Sequence, residues 1–500
     1  MMFENIKNLT DIMWGWPLII VLLGVGFFLT IISNFFQFKY IKHIWSETLA
    51  KIFKKTISEN KNQGILAPIQ AVSIAIGGTI GVGNIGGVAT AIAVGGPGAL
   101  FWLIVAGIVG QIIKMVEVTL AVYFRSKDEK GNPFGGPTYY IKKGIGDSYK
   151  FYKLQKILSF LFISGMIASI FVSMQNYTVS EAISSTFNFN SLLQNYFVQE
   201  LNFSNNLNYS QAIYGIIYTI IVYVMIAGGL KQLGKIAEII VPFMCIFYLL
   251  GGLVIIIKFW YLLPSTIILI VRDAFNGTAA VGGFAGATFI MAMQKGLARA
   301  VFSNEAGWGT SPMIHSTSKT DHPIRQGLWG VAEVTVSTIF VCTVTALVII
   351  ITSQWKTGLS GATLTLSAFE VGIGFLGRII LTIGIFLFGI TTTTGWYTYY
   401  DIIFRYLLGG KTSIKDNFLN IYKWVYPIPG LALVLYSVFY QKPSQEIWVF
   451  ADFSTALPVF ANVISILILS PVFVLLLKDY ISRNIKRDNK FLLTKVFYED

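Results

Sequence analysis

Charge is scarce in this chain. Only 12% of its 500 residues are Asp, Glu, Lys or Arg, about half the share usual in soluble domains. With 54% apolar residues, a disordered chain is excluded as well, because disorder needs the opposite balance. Cysteine is nearly absent. Cys245 and Cys342 both lie inside apolar runs and form neither a CxxC metal pair nor a disulfide framework. The three histidines, His43, His315 and His322, are scattered and make no HExxH, so an intramembrane metalloprotease has no zinc ligands. A rhomboid-type protease needs a histidine at membrane depth, and all three fall outside the apolar segments. The chain is read as a non-enzyme.

What it has is hydrophobic length, with a mean hydropathy of +0.67. A bilayer core about 30 Å thick takes ~20 apolar residues per helix. Eleven such segments are expected: 14–38, 69–93, 98–124, 155–185, 210–228, 236–257, 267–293, 326–352, 372–404, 424–440 and 449–477. The first has a flank of net negative charge (Glu4, Lys7, Asp11) and no small-residue cleavage site, so it reads as a span and not as a signal peptide. The whole chain is expected to be one all-α transmembrane domain whose main partner is the lipid bilayer. Its net charge of +13 would hint at nucleic acid in a soluble protein. Here 30 of the 37 Lys and Arg sit in alternate connections, at 39–68, 125–156, 229–235, 294–325, 405–423 and from 478 onward. That alternation places the N-terminus outside and the C-terminus in the cytoplasm of a plasma membrane. It calls for no nucleic-acid or obligate protein partner.

Glycine is concentrated in two places. Residues 77–87 hold six glycines in eleven positions, and 277–286 hold Gly277, Gly282, Gly283 and Gly286. Each cluster opens a set of five spans, 69–257 and 267–477, preceded by an extra N-terminal helix at 14–38 and followed by a tail at 478–500. Five is odd, so the two sets are inverted relative to one another. Glycine-interrupted segments at matching places in inverted halves point to the binding site of a secondary transporter. Close helix packing is the competing reading of such clusters. Glycine costs about 1 kcal/mol relative to alanine inside a helix, so the first cluster is expected to unwind. Freed N–H groups at the new half-helix N-terminus suit a carboxylate, and freed carbonyls at the other half-helix C-terminus suit a cation. Asn84 adds a neutral oxygen.

Residues 77–102, GGTIGVGNIGGVATAIAVGGPGALFW, together with FGGPTYY at 134–140 and KGLARAVFSNEAGWG at 295–309, resemble the signature of the alanine/glycine:cation symporter family. So does the Lys-Thr-x-His-Pro-x-Arg-Gln-Gly run at 319–327. The likeness covers roughly 14–478, and the family's usual Gly-Thr-Gly-Asn is Gly81-Val82-Gly83-Asn84 here. The resemblance implies a leucine-transporter-like fold of two inverted five-helix repeats with broken first helices. It also implies uptake of alanine or glycine driven by Na+, with H+ as the alternative coupling ion. By the same resemblance, the amides of Gly81, Val82 and Gly83 hold the substrate carboxylate, with Thr79 and Asn84 beside them. Carbonyls near Gly282 and Gly283 face the ammonium, Phe284 closes the pocket, and Gln175 reaches the substrate. The cation falls between Gly77, Ile80, Thr391 and Thr392, and Trp396, on the same helix face as Thr392, walls the pocket. No organic cofactor is expected, and a channel is the less favoured alternative to a small-neutral-amino-acid symporter.

Charges at membrane depth are functional by default. Lys114 and Glu117, three apart, are expected to neutralise one another. Glu333, Glu370 and Arg378 fall near span ends. Glu305 is expected in a cytoplasmic loop, paired with Arg299 or Arg325, and His315 and His322 in loops without a metal role.

Overall fold

Proline and glycine set the boundaries of the helices that matter most. In the computed structural model, residues 2–53, 64–129, 131–170, 174–190, 207–409, 412–440, 445–488 and 493–498 are described. The basic stretch 54–61 and parts of the tail, 489–492 and 499–500, lie outside them. Among the described residues the helices include α1 (Trp16–Ile32), α2 (Pro68–Thr79), α3 (Gly83–Gly95), α4 (Ala99–Tyr123), α5 (Tyr152–Ser169), α6 (Met174–Thr186), α7 (Tyr209–Ala227) and α8 (Gly229–Lys258). They continue with α9 (Leu263–Asn276), α10 (Phe289–Asn304), α11 (Ser311–His315), α12 (Pro323–Ile351), α13 (Gly361–Ile373), α14 (Phe375–Leu408), α15 (Ser413–Tyr440), α16 (Asp452–Ile468) and α17 (Ser470–Lys486). Among the described residues, seven helices are long and apolar enough to cross a membrane, or up to nine if each of two bent pairs counts as one span.

One bent pair is α2 and α3, which turn by 49° across Ile80–Val82. Pro68 starts α2 at a position where no backbone N–H is needed. Gln70 Oε1 accepts the Ala67 N–H at 3.1 Å. The helix stops where Ile80 turns extended (φ −84°, ψ 92°), and the chain resumes through a widened π turn at Gly83–Gly87. The second bend, 59° between α16 and α17, has Pro471 in the first turn of α17.

The predicted seventh span, 267–293, is corrected. The chain runs as α9, then a loop at 277–288, then α10. Thr278 pairs with Ala287 and Val281 with Phe284 across that loop, and Gly277, Gly282 and Gly286 take positive φ (77°, 60° and 91°). These glycines permit backbone turns open to few other residues; they do not break a helix within one span.

A different interruption lies between α10 and α11, over 305–310. Glu305 caps α10 in the left-handed region (φ 52°), Gly307 and Gly309 take φ of 90° and 83°, and Pro312 restarts the helix. α2 packs against α11, while α3 packs against α10, so the two breaks face one another. α2 also lies against α8 and α14, α4 runs along α10 and α12, and α5 along α16.

Candidate functional site

The two facing breaks enclose a cavity of about 70 Å³. From the first break it is lined by Gly78, Thr79, Gly81, Val82 and Gly83, and from the second by Phe302, Glu305 and Trp308. Gln175 of α6, Thr392, Trp396 and Tyr400 of α14, and Tyr426 of α15 complete most of the wall. The space is small because it is walled by rings. Trp308 stands edge-on to Trp396 at 5.2 Å and Phe302 lies 5.3 Å from Trp308. One buried carboxylate faces the cavity. Glu305 accepts the Trp396 indole N–H through Oε1 (3.1 Å) and the Thr310 hydroxyl through Oε2.

Thr79, Gly81, Val82, Gly83, Gln175, Thr392 and Trp396 are thus brought to one cavity. The Thr79 hydroxyl turns back to Ala75 O and Ile76 O at 3.0 and 3.1 Å. Val82 and Gly83 open α3, and first-turn N–H groups have no partner within their own helix. The Gly81 N–H is already used: it donates to Asn84 Oδ1 at 3.1 Å.

Asn84 itself does not line the cavity. It is fully buried, and its amide donates to Ser303 O (3.2 Å), Ser337 O (3.4 Å) and Cys342 Sγ (3.4 Å). Its side chain replaces the backbone partners that the break removes and ties that break to α10 and α12.

Gly282, Gly283 and Phe284 also lie elsewhere. The Gly283 N–H donates to Lys356 O at 2.6 Å, and Phe284 is buried edge-on against Trp355 at 5.3 Å. Glu305 does not lie in an open cytoplasmic loop, and among the described residues it pairs with neither Arg299 nor Arg325. The αL cap of α10 turns it into the core, and Arg325 pairs instead with Asp321 at 2.7 Å. The signal for this second break was the sequence itself: Asn304, then Gly307 and Gly309, then Ser311-Pro312 reads as a helix end followed by a new start.

Gly77, Ile80 and Thr392, three of the four expected cation ligands, come together, and Thr391 packs beside them. Thr392 Oγ1 donates to Gly77 O at 2.9 Å and reaches Ile80 O at 3.3 Å. Thr391 packs on Gly77, where an added Cβ would meet the Thr391 Cβ at 3.0 Å. Its hydroxyl turns back to Leu387 O (2.9 Å) and Phe388 O (3.1 Å), a common bond of threonine in transmembrane helices. Thr394 does the same with Ile390 O, and Thr393 bonds Tyr218 at 2.6 Å. Of the four threonines, Thr392 is the one whose hydroxyl reaches the break.

Two buried groups differ from expectation. Glu333 is not at a solvated span end: both it and His315 are buried, 3.0 Å apart through Glu333 Oε2 and His315 Nε2. His315 ends α11, so its place is the core beneath the second break and not an open loop. The Glu370–Arg378 pair, at 2.7 Å, is partly exposed.

Comparisons with known proteins show the family and the fold. The sequence profile of the sodium:alanine symporter family matches residues 1–493. The sodium/alanine symporter AgcS of Methanococcus maripaludis is 34% identical over 478 residues, covering 94% of this chain and 95% of that one. The probable sodium/glutamine symporter GlnT of Bacillus subtilis is 33% identical over 494 residues, covering 98% and 92%. Among solved structures, MhsT in complex with L-phenylalanine matches with a TM-score of 0.54 at 12% identity, over 84% of this chain and 90% of that one. That likeness concerns the fold, which is leucine-transporter-like. A multi-pass helical membrane transporter, and not an enzyme, is what these observations describe, and the chain belongs to the sodium:alanine symporter family.

Proposed function

We propose that this protein is a secondary active symporter that takes up small neutral amino acids, alanine and glycine foremost, together with Na+. The observation that carries the reading is the pairing of a small cavity with the Thr392–Gly77–Ile80 contact at its edge. The substrate carboxylate is assigned to the N–H groups of Val82 and Gly83, and its ammonium to Glu305, across the cavity. Gln175 and Trp396 bound the remaining wall. Na+ is assigned to Gly77 O, Ile80 O and the hydroxyls of Thr392 and Thr391, a set of neutral oxygens that suits a monovalent hard cation. The aromatic walls favour a short side chain. One methylene changes binding by about 1–3 kcal/mol, so serine is expected as a weak competitor.

Eleven spans in two inverted sets, with the N-terminus outside and the C-terminus cytoplasmic, complete the proposal. Alternating access then moves the two breaks together, because α2 rests on α11 and α3 on α10.

The test is uptake of labelled alanine and glycine into proteoliposomes under an inward Na+ gradient, with K+ and inward H+ gradients as controls. Accumulation above equilibrium with Na+ alone is expected. Accumulation with H+ alone would move the coupling ion, and none under any gradient would remove the substrate assignment. Gly83→Val is expected to raise the alanine KM at least about tenfold, equal to about 1.4 kcal/mol. An added Cβ meets its first neighbour, Phe302 Cδ1, at 3.6 Å, so the fold has room and the branches enter the cavity.

A further inference from the structure

Lys114 has no exposed surface, although it lies midway along α4. A buried ion costs several kcal/mol unless its surroundings answer it. Its ammonium donates to Glu305 O at 2.8 Å and to Ser311 Oγ at 2.8 Å. Glu333 Oε1 stands 3.7 Å away and Glu117 Oε2 3.8 Å. The outer oxygens of both carboxylates are engaged elsewhere, Glu117 Oε1 by Asn462 and Glu333 Oε2 by His315. Four oxygens from three elements and the break between α10 and α11 therefore surround one nitrogen.

The place of that nitrogen matters. Glu305 is the residue at which α10 ends, so the negative end of a half-helix is directed at the ammonium. At the first break the carbonyls of Gly77 and Ile80 converge on a hydroxyl, that of Thr392. At the second, a carbonyl, a hydroxyl and two carboxylates converge on a fixed positive charge. A mobile cation entering the second break would meet that charge in a site with little water to screen it.

We propose that Lys114 is the built-in cation of the second break, so that uptake carries one Na+ per amino acid, taken at the first break. This rests on the Na+-coupled reading given above. Lys114 is a positioning residue: it touches neither substrate nor Na+, and it fixes the Glu305 backbone from behind while the Glu305 side chain faces the cavity.

The experiment is a balance of gradients in proteoliposomes holding the full-length chain, with the potential clamped at zero. An about tenfold inward Na+ gradient is expected to hold an about tenfold outward-directed alanine gradient if one ion moves, and an about hundredfold one if two move. Balance at the higher value overturns this inference alone. Absence of any Na+-driven accumulation overturns it together with the reading on which it rests. The second arm is Lys114→Ala, which leaves the carbonyl, the hydroxyl and two carboxylates around an open space. Na+ activation of uptake is expected to steepen, its Hill slope rising from about one toward about two. The double variant Lys114→Met with Glu333→Gln keeps the charge balance without creating a cation site, and its slope is expected to stay near one. A folded Lys114→Ala variant with unchanged slope shows a merely structural lysine and overturns the proposal. If Lys114→Ala does not fold, the gradient balance of the unmodified chain decides.

Discussion

Thr392 has one hydroxyl proton and two carbonyls within reach. Its bond to Gly77 O at 2.9 Å closes the end of α2 as long as nothing else engages that carbonyl. A cation placed there would take Gly77 O and the lone pairs of the hydroxyl together, and the proton would rotate away. Thr392→Ala removes a ligand while leaving the backbone in place. The Na+ concentration for half-maximal uptake is expected to rise at least about tenfold, while Thr392→Ser, which keeps the hydroxyl, stays close to the unmodified chain. A sodium titration of alanine uptake at fixed pH checks this, and an Ala variant with unaltered sodium dependence would remove Thr392 from the ion site. The same threonine explains why position 81 is glycine: a Cβ there would lie 2.5 Å from Thr392 Oγ1. Asn84 teaches the opposite lesson. As an amide beside a glycine-rich break it reads as a ligand, yet its oxygen is taken by the Gly81 N–H and its nitrogen by α10 and α12. Sequence names the polar group but not which of two nearby demands it answers.

At the scale of elements, the glycines of α2 serve both readings that the sequence left open. They accompany a break, and they allow close approach. Gly78 and Gly395 meet backbone to backbone: a Cβ on Gly395 would stand 2.8 Å from Gly78 Cα, and one on Gly78 would stand 2.3 Å from the Tyr399 hydroxyl. Gly395→Leu is therefore expected to separate α14 from α2, abolish uptake and lower the midpoint of thermal unfolding in detergent by several degrees. Gly24→Ala, in α1, meets nothing within 4 Å and is expected to leave both unchanged. Apolar length was legible for most elements: α4, α7, α12 and α14 fall where hydrophobic runs predict them, whereas α8 and α15 begin at Gly229 and Ser413, inside stretches expected to be connections. The first break was legible because six glycines in eleven positions suit no straight helix. The second was misplaced. The loop at 277–288 has the richer glycine cluster, but its positive φ angles make a paired turn. The real interruption at 305–310 is marked by Glu305 in αL and by the proline that follows. Composition ranks glycine count, whereas a helix break is defined by a stop and a restart in sequence.

Across the whole molecule, the chain's early and late segments meet at one end of the helical assembly through titratable groups. His43 bonds the Tyr480 hydroxyl at 3.1 Å, Arg325 lies 3.8 Å from Glu47, and the Leu493 N–H donates to Asp479 at 2.9 Å. His322 stands at the centre. Its Nδ1 accepts the Ile324 N–H at 3.1 Å, capping α12, and its Nε2 faces Asp479 at 3.3 Å. Both nitrogens are thus satisfied by a neutral ring carrying its proton on Nε2. Burial pushes the His322 pKa down to about 4 from 6.5, with Asp479 opposing that shift and Arg483 adding to it. The sign follows from linkage. As pH falls through 6.5 the unfolded chain binds a proton that the folded chain refuses until about 4, so stability is lost over that window. At pH 5 the loss from this one ring is about 2 kcal/mol. His322→Asn keeps a side-chain acceptor for the Ile324 N–H, a role in which asparagine is favoured, and carries no titrating group. The fall in thermal midpoint between pH 7 and pH 5, measured in detergent, is expected to be smaller in His322→Asn than in the unmodified chain. Because the carboxylates that also titrate in this range are common to both proteins, the difference between the two slopes isolates His322. Equal slopes would mean that the ring takes its proton in the folded state as readily as in the unfolded one, and that the clamp between α12 and α17 does not depend on its neutrality.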